Sequence, residues 1–556
     1  VDLHRRPHLA LKGLRILLGI AAVLLVVEPG RVPLFEPDEG RYAEIPREML
    51  ATGDFVTPRL NGVLYFEKPP LHYWTVAASF AMFGKSESAL RLPTRLASLG
   101  LVALAFAFTR KRWGERAGLL AGLALATSAL MVGLARISLI DPSLSLAMTG
   151  AAFAFTAFQE REAAGDARGA RRALYALHVS CAAAVMLKGL IGIVLPGGAI
   201  LAWAALMWRW RLVPKLFAPG PLLVFLALAV PWHVLVATRN PSFLSFYFVH
   251  EHFQRFATKA HRRTGSPLYF VGVLLAGFLP WTAFLGRVKE CFEGRGLARF
   301  RGNATASFLL VFSATVFLFF SASSSKLIPY VQPLWAPLAV LLGAGLSRAL
   351  ERGAPMRGER IAAAALLGLL LAFGVGFAVG GGFVRSFGIG PGAGVILAAL
   401  FIGFLAMLWP RALPLVPAVA VPWLLLVAGA LGAFPSVARA ITPWPVAEAA
   451  RRQLSPGQLF WQRGHFLEVL PFYLDRLTPI SDLAWSELDF GRAQPHAPEL
   501  FPDDEAFRAA WNGQARMLVA ADADHLKIWS DPRFALTPPI LLAKEGNLKR
   551  FLFANR

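Results

Sequence analysis

Two cysteines stand in the 556 residues, Cys181 inside an apolar stretch and Cys291 in a basic loop, so the chain offers no disulfide framework and no paired cysteine metal ligands. Charged side chains are scarce too, at 16% of the chain. Residues 441–556 hold no glycine-rich phosphate loop and no internal repeat of fixed period, and there is no small-residue cleavage site between the basic start VDLHRRPHLALKGLR and the first polar loop. That start is expected to be a retained signal anchor. What the chain has in quantity is apolar sequence: 56% hydrophobic residues, a mean hydropathy of +0.53, and apolar blocks of about 17 to 22 residues. A helix needs roughly 20 apolar residues to cross the hydrocarbon, and lipid forbids unpaired backbone, so the composition defines a polytopic helical membrane protein.

The blocks lie near 14–31, 90–109, 117–137, 143–158, 173–187, 190–208, 219–237, 266–285, 305–322, 327–346, 361–380, 392–409 and 414–434, which predicts thirteen spans. With the N-terminus in the cytoplasm, the cytoplasmic loops are 110–116, 160–172, 209–215, 287–301, 348–360 and the Arg411 turn, and each carries Lys or Arg. This placement accounts for the net charge of +22 through topology and anionic lipid, without nucleic acid. The apolar run 71–83 has 13 residues, too short to cross, and counting it as a span would put the basic loops outside. It is therefore expected as a juxtamembrane or re-entrant helix within a first external loop, 31–88. A second large external loop spans 238–266. After about residue 440 the blocks stop, and 441–556 mixes strand-like runs (LFWQ, RMLVAA, ILLAKEGNLKRFLFAN) with helical stretches at 444–454 and 504–511. A small soluble α/β domain on the external face is expected there, with EGN as a hairpin turn.

The densest chemistry lies in EPDEGRYAEIPREMLATGDFVTPRLNGVLYFEKPPLHYW, residues 36–74, between the first apolar block and the rest. Asp38 and Glu39 could face a substrate at headgroup level or simply cap a helix. Asp141, in RISLIDPSL, falls on the same expected face, and Asp-Pro is also an ordinary helix start. Glu67 and Lys68 in FEKPP could be a site pair or a plain ion pair. Lys188 and Lys326 interrupt apolar runs at external turns, where snorkelling is the common alternative. His250, Glu251, His252 and Arg255 sit together in YFVHEHFQRF, a spacing that matches no strong metal motif. The external cations run against the positive-inside bias, and a lipid-linked phosphate would use them.

The blocks EPDEGRYAEIPREML, FEKPPLHYW, RISLIDPSL, LKGLIGIVLP, HEHFQRF and SSSKLIPYVQPLWAPLA, in this order over about residues 30–345, resemble the lipid A aminoarabinose transferases, relatives of the protein O-mannosyltransferases with the GT-C fold. The resemblance implies a transmembrane catalytic domain at 1–440, a periplasmic α/β domain at 441–556, and a multi-pass enzyme of the bacterial inner membrane. It carries Asp38 and Asp141, with neighbouring Glu39, into catalytic roles. Arg41, Tyr42, Glu67, Lys68, Lys188, Arg255, Lys326 and Tyr330 become candidates for binding substrate and its phosphate. Glu67 and His250 are candidate ligands for a divalent metal, and no organic cofactor is expected.

The implied reaction moves 4-amino-4-deoxy-L-arabinose from undecaprenyl phosphate to lipid A phosphate, with inversion, and would confer resistance to polymyxin and cationic peptides. The expected partners are that donor, lipid A and membrane lipids, with no nucleic acid and a monomer as the working form, although the sequence leaves open whether the chain acts alone. Two other readings stay open: a polyisoprenyl-phosphate-dependent transferase acting on a protein or another glycan, and, more weakly, a transporter of a lipid-linked sugar.

Overall fold

The computed structural model describes residues 7–28, 30–248, 265–292, 296–379, 398, 400–405, 415–484, 486–495, 497, 499–532, 535–544 and 550–556. Helix α1 (Pro7–Leu25) runs into the polar loop, whose first helix is α2 (Asp38–Thr52). Asp38 and Glu39 in its first turn complement the helix dipole, and Gly53 closes it at φ 71°, donating its N–H to the Met49 carbonyl. A two-residue hairpin follows, β1 (Arg59–Leu60) and β2 (Val63–Leu64), turned by Asn61 and Gly62 at φ 50° and 80°. Both turn residues need positive φ there, which Asn and Gly tolerate. Helix α3 (Leu71–Phe83) is the 13-residue helix expected within the external loop.

The membrane-like body is built from α4 (Glu87–Thr127), α5 (Ala129–Leu134), α6 (Ile140–Ala163), α7 (Ala167–Lys188), α8 (Ile191–Met207), α9 (Pro219–Arg239), α10 (Tyr269–Gly277), α11 (Ala304–Ala322), α12 (Trp335–Glu351), α13 (Arg357–Val379) and α14 (Leu415–Ile441). Helix α12 is its centre: 89% of the residues in the most apolar 18-residue stretch of Ile328–Glu351 are buried, and Gly343 lies so close to α4 that an added Cβ would meet the Ala117 carbonyl at 2.6 Å. Helices α9 and α14 turn outward, with Leu223, Val234, Val421 and Leu425 exposed, as lipid-facing helices do. Among the described residues, five helices are long and apolar enough to cross a membrane, or six if one bent pair counts as a span.

Several expected spans are not straight. The blocks 90–109 and 117–137 belong to one helix kinked at Gly114, whose φ of 86° is non-helical, and the second block breaks again at Ser128. The block 266–285 is corrected from one span to two helical pieces, α10 and the 3-10 segment Trp281–Cys291, bent by 98° around Pro280. Of the block 392–409 only residues 398 and 400–405 are described, and the Arg411 turn lies outside the described residues.

Beyond α15 (Trp444–Gln453), the chain forms β3 (Leu459–Arg463), α16 (Val469–Leu474), β4 (Ile480–Ser481), α17 (Asp504–Asn512), β5 (Met517–Asp522), β6 (Ile540–Lys544) and β7 (Arg550–Ala554). The sheet order is β4-β3-β5-β7-β6, with β4 and β5 parallel to β3 and the last hairpin antiparallel. Its EGN connection lies outside the described residues. Phe507, Trp511, Met517, Val519 and Phe553 form one core on this sheet.

Candidate active site

The first loop and the C-terminal unit close on one another, and the polar residues of α2 lie between them. Arg41 is buried and sits among four carboxylates: its Nη1 is 2.6 Å from Glu487 and 3.9 Å from Glu67, its Nε is 3.3 Å from Glu468, and its Nη2 is 3.6 Å from Asp38. Nη1 also donates to the Tyr65 hydroxyl at 2.9 Å. Burial works against this charge, but Glu468 and Glu487 outweigh it and hold the guanidinium firmly protonated. Burial pushes Glu468 well up, with Arg41 opposing and Glu487 adding to the rise, and burial lifts Glu36 to about 7 even though Glu36 accepts the Val469 N–H at 2.8 Å.

The loop and sheet are also stitched by backbone recognition. The Asn61 side chain accepts the Thr478 N–H and donates to its carbonyl, both at 2.9 Å, and the Gly62 N–H donates to Glu48. Gly40 faces the Glu468 backbone so closely that a Cβ would lie 2.7 Å from it.

Asp38 opens toward solvent, its side chain 49% exposed, whereas Glu39 is fully enclosed. Both Glu39 oxygens are engaged, by Arg91 at 2.7 and 2.8 Å, by the Ser138 N–H at 2.7 Å and by the Phe35 N–H at 3.1 Å. The structure therefore separates the acidic pair, and the catalytic expectation for Glu39 is corrected to a scaffold role because no lone pair faces the opening.

A second cluster stands beside the first. Asp141, in the first turn of α6, lies 2.5 Å from Lys188, the last residue of α7, and the ammonium also sits 4.7 Å from the Tyr330 ring centre. An acid at a helix start and a lysine at a helix end each complement the local dipole. Tyr42 links the clusters: burial, with the Asp38 and Asp141 carboxylates adding to it, pushes its phenol well up. A largely apolar groove of about 710 Å³ opens between α3, α4, α6 and α7, with Met82, Leu96, Leu146 and Val179 on its walls. Leu187 and Ser143, one and two residues from Lys188 and Asp141, line it as well.

Lys326 is corrected from a phosphate-binding candidate to a helix cap. Its three ammonium protons go to the carbonyls of Phe320, Ser321 and Ser323 at 2.7 to 2.9 Å, closing the end of α11. Lys68 lies 3.7 Å from Glu67 and donates to its carbonyl. Glu67 thus carries cations at 3.7 and 3.9 Å that a divalent ion would have to displace, while His250 and Arg255 lie outside the described residues. Glu468, Glu487, Tyr65 and Arg91 complete the network without having been singled out in the sequence. The first two lie more than 400 residues from Arg41, and no local spacing reports such a contact.

The family described as dolichyl-phosphate-mannose-protein mannosyltransferase matches residues 33–247, the stretch that carries Asp38, Arg41, Glu67, Asp141 and Lys188. Undecaprenyl phosphate-α-4-amino-4-deoxy-L-arabinose arabinosyl transferases from Edwardsiella ictaluri and Serratia proteamaculans are 34% and 35% identical over 58% and 60% of this chain. The matched stretch spans 57% and 60% of those relatives' own length, less than two thirds. The crystal structure of ArnT from Cupriavidus metallidurans bound to undecaprenyl phosphate superposes with a TM-score of 0.81 at 27% identity, covering 98% of each chain. Fold and sequence together define a polytopic helical membrane protein of the GT-C class. Within that class the chain is similar to the undecaprenyl phosphate-aminoarabinose transferases over part of their length and shares the fold of ArnT.

Proposed function

We propose that the chain is an integral membrane glycosyltransferase that moves 4-amino-4-deoxy-L-arabinose from undecaprenyl phosphate to a phosphate of lipid A at the periplasmic face of the bacterial inner membrane. In this reading thirteen spans carry the site, and residues 441–556 lie in the periplasm above it. The observation that carries the proposal is the whole-chain correspondence, over 98% of both chains, with an ArnT structure holding undecaprenyl phosphate. The apolar groove beside Lys188 and Asp141 supports it, since it offers a polyprenyl tail an apolar wall next to a cation.

The chemistry follows from the charges. An oxygen of the acceptor phosphate, already anionic near neutral pH, attacks C1 of the sugar without needing a strong base. The C1–O bond to the lipid phosphate breaks, its electron pair stays on that phosphate, and C1 inverts. Lys188 stabilises the departing phosphate, with Asp141 setting the position of its ammonium. Asp38, exposed at the mouth, pairs with the sugar amino group and offsets positive charge developing at C1. No step is assigned to a metal.

Mass spectrometry of lipid A from a deletion strain expressing either this chain or its Asp38→Ala form tests the reading. One added aminopentose with the intact chain and none with the variant is the expected result. Unchanged lipid A in both, with sugar appearing on a protein or another glycan, would overturn the acceptor and keep the polyisoprenyl-phosphate chemistry.

A further inference from the structure

The parallel strands β4, β3 and β5 all end at one edge of the C-terminal sheet. The chain leaves β3 to one side to form β4, then returns across to form β5 on the other side, so the direction of winding reverses between β3 and β5. The crevice outside the carboxyl ends of strands at such a reversal is where open α/β sheets bind ligands. Three side chains from separate segments meet there: His465, two residues past β3; Asp522, the last residue of β5; and His525, in the following 3-10 helix. Each offers one donor atom, and the three atoms lie within 4.8 Å of one another.

The Asp522 carboxylate takes His525 Nδ1 at 2.7 Å on one oxygen and His465 Nδ1 at 3.2 Å on the other. A carboxylate that only caps the 3-10 helix, as Asp522 does for the Asp524 N–H, needs neither imidazole. Space has been cleared for the cluster: Gly464 stands at φ 87°, and a Cβ there would fall 2.3 Å from His525 Nδ1 and 2.7 Å from an Asp522 oxygen. Asp482, just past β4, approaches His525 Nε2 at 3.8 Å from the other side. The nearby cation, Arg463, is already held by Asp482 at 3.2 Å and Asp504 at 2.7 Å, so it does not neutralise Asp522.

We propose that His465, Asp522 and His525 form a binding site for a divalent transition metal, of the zinc type, that fixes the segment joining the C-terminal sheet to Arg41. Two imidazoles and a carboxylate with an open position suit zinc, and the central carboxylate excludes an anion. Ligand atoms around tetrahedral zinc stand about 3.3 Å apart for bonds of about 2.0 Å, so the widest separation closes by up to about 1.5 Å while the His525–Asp522 pair, at 2.7 Å, opens by about 0.6 Å. His465 is exposed and free to make that movement by rotating its ring. Three residues further on, Glu468 contacts Arg41 and Val469 donates to Glu36, so the ligand and the site contacts share one short segment.

The test uses the full chain in detergent micelles, stripped with chelator and freed of any histidine tag, titrated with Zn²⁺ and Co²⁺. Expected are one equivalent of metal, visible Co²⁺ absorption bands, and binding at least about tenfold weaker in His465→Ala and in Asp522→Asn. His465 is exposed, so its variant keeps the fold. Glu67→Gln retains the equivalent. Proteolysis between residues 464 and 469 slows on adding Zn²⁺ in the parent chain and not in His465→Ala. No stoichiometric binding at micromolar free zinc, or binding unchanged in both site variants, overturns the proposal. Sugar transfer is not read, so the result stands apart from that of the lipid A experiment.

Discussion

The guanidinium of Arg41 lies 2.6 Å from the carboxylate of Glu487, joining the first helix of the external loop to a residue 446 positions later. Around that contact three more carboxylates lie within 3.9 Å of Arg41, the buried Glu67 and Glu468 and the half-exposed Asp38, so one cation ties several acids together. Removing it leaves the buried Glu468 without that cation, while Glu67 keeps Lys68. Arg41→Ala is expected to destabilise the chain by about 3–5 kcal/mol, and Glu487→Gln by clearly less, because other carboxylates remain on the guanidinium. Thermal unfolding in detergent, read together with proteolytic release of the C-terminal unit, checks both values. Equal effects would mean that the pair, and not the cluster, carries the stability.

Asp38 and Glu39 are adjacent in sequence and opposite in role. Asp38→Asn should lower turnover by about 100-fold or more, with donor binding and melting temperature near those of the parent. Glu39→Gln should fail earlier: it loosens Arg91, which is itself fully buried, and costs about 3 kcal/mol or more of stability. Activity per folded molecule, measured in proteoliposomes beside the melting curve, separates the two. An Asp38→Asn enzyme with full turnover would remove Asp38 from the reaction.

Asp141 and Lys188 are expected to act as a unit. Asp141→Asn and Lys188→Met should each reduce transfer by about 100-fold, and the double variant should be no worse than the poorer single one. Losses that multiply in the double variant would show independent roles. Binding of undecaprenyl phosphate should weaken in Lys188→Met more than in Asp141→Asn, since the cation faces the phosphate and the acid positions the cation.

Lys326→Met tests the cap. The three freed carbonyls should cost about 1–3 kcal/mol, while affinity for undecaprenyl phosphate stays within about twofold of the parent. A large loss of affinity without loss of stability would return Lys326 to the binding site.

Glu36 gives a pH signature. Its carboxyl titrates at about 7 in the fold, above the ordinary value near 4.5, because burial disfavours the charge. Between those values the folded chain holds a proton that the unfolded chain has released, so this group's contribution to stability falls as pH rises from 4.5 to 7 and is flat above. Gln keeps an acceptor for the Val469 N–H and cannot ionise. The melting temperature of Glu36→Gln relative to the parent should therefore rise by a few degrees between pH 5 and pH 8. A constant difference would exclude Glu36 as the titrating group.

Much of this fold is legible in sequence where the signal is local. The apolar blocks give the helices of the body, the 13-residue run at 71–83 is a helix of that length, and the strand-like runs after residue 458 coincide with β3, β5, β6 and β7. Bends were harder to read, because Gly114 and Pro280 break helices inside apolar sequence whose hydropathy stays high. Asn61-Gly62 carries the local signal of a tight hairpin turn, since that dipeptide favours positive φ, but the strands it joins are only two residues long and show no alternation. In the site, Asp38, Arg41, Asp141 and Lys188 announced themselves as polar residues in improbable places. Lys326 did so too and is a cap, because hydropathy does not distinguish a lysine facing substrate from one facing carbonyls. Glu468 and Glu487 left no trace in the pattern, being ordinary acids of a soluble fold until the chain brings them to Arg41.

The absence of room beside Gly40 sets an order of events during synthesis. The backbone that Gly40 touches belongs to Glu468, and the hairpin at Asn61 is completed by Thr478, so α2 cannot reach its final burial until those residues have left the ribosome. Until then the charged helix lacks that cover, even once the body helices through α14 have been made. A chain interrupted before residue 468 would still lack the carboxylates of Glu468 and Glu487 that enclose Arg41.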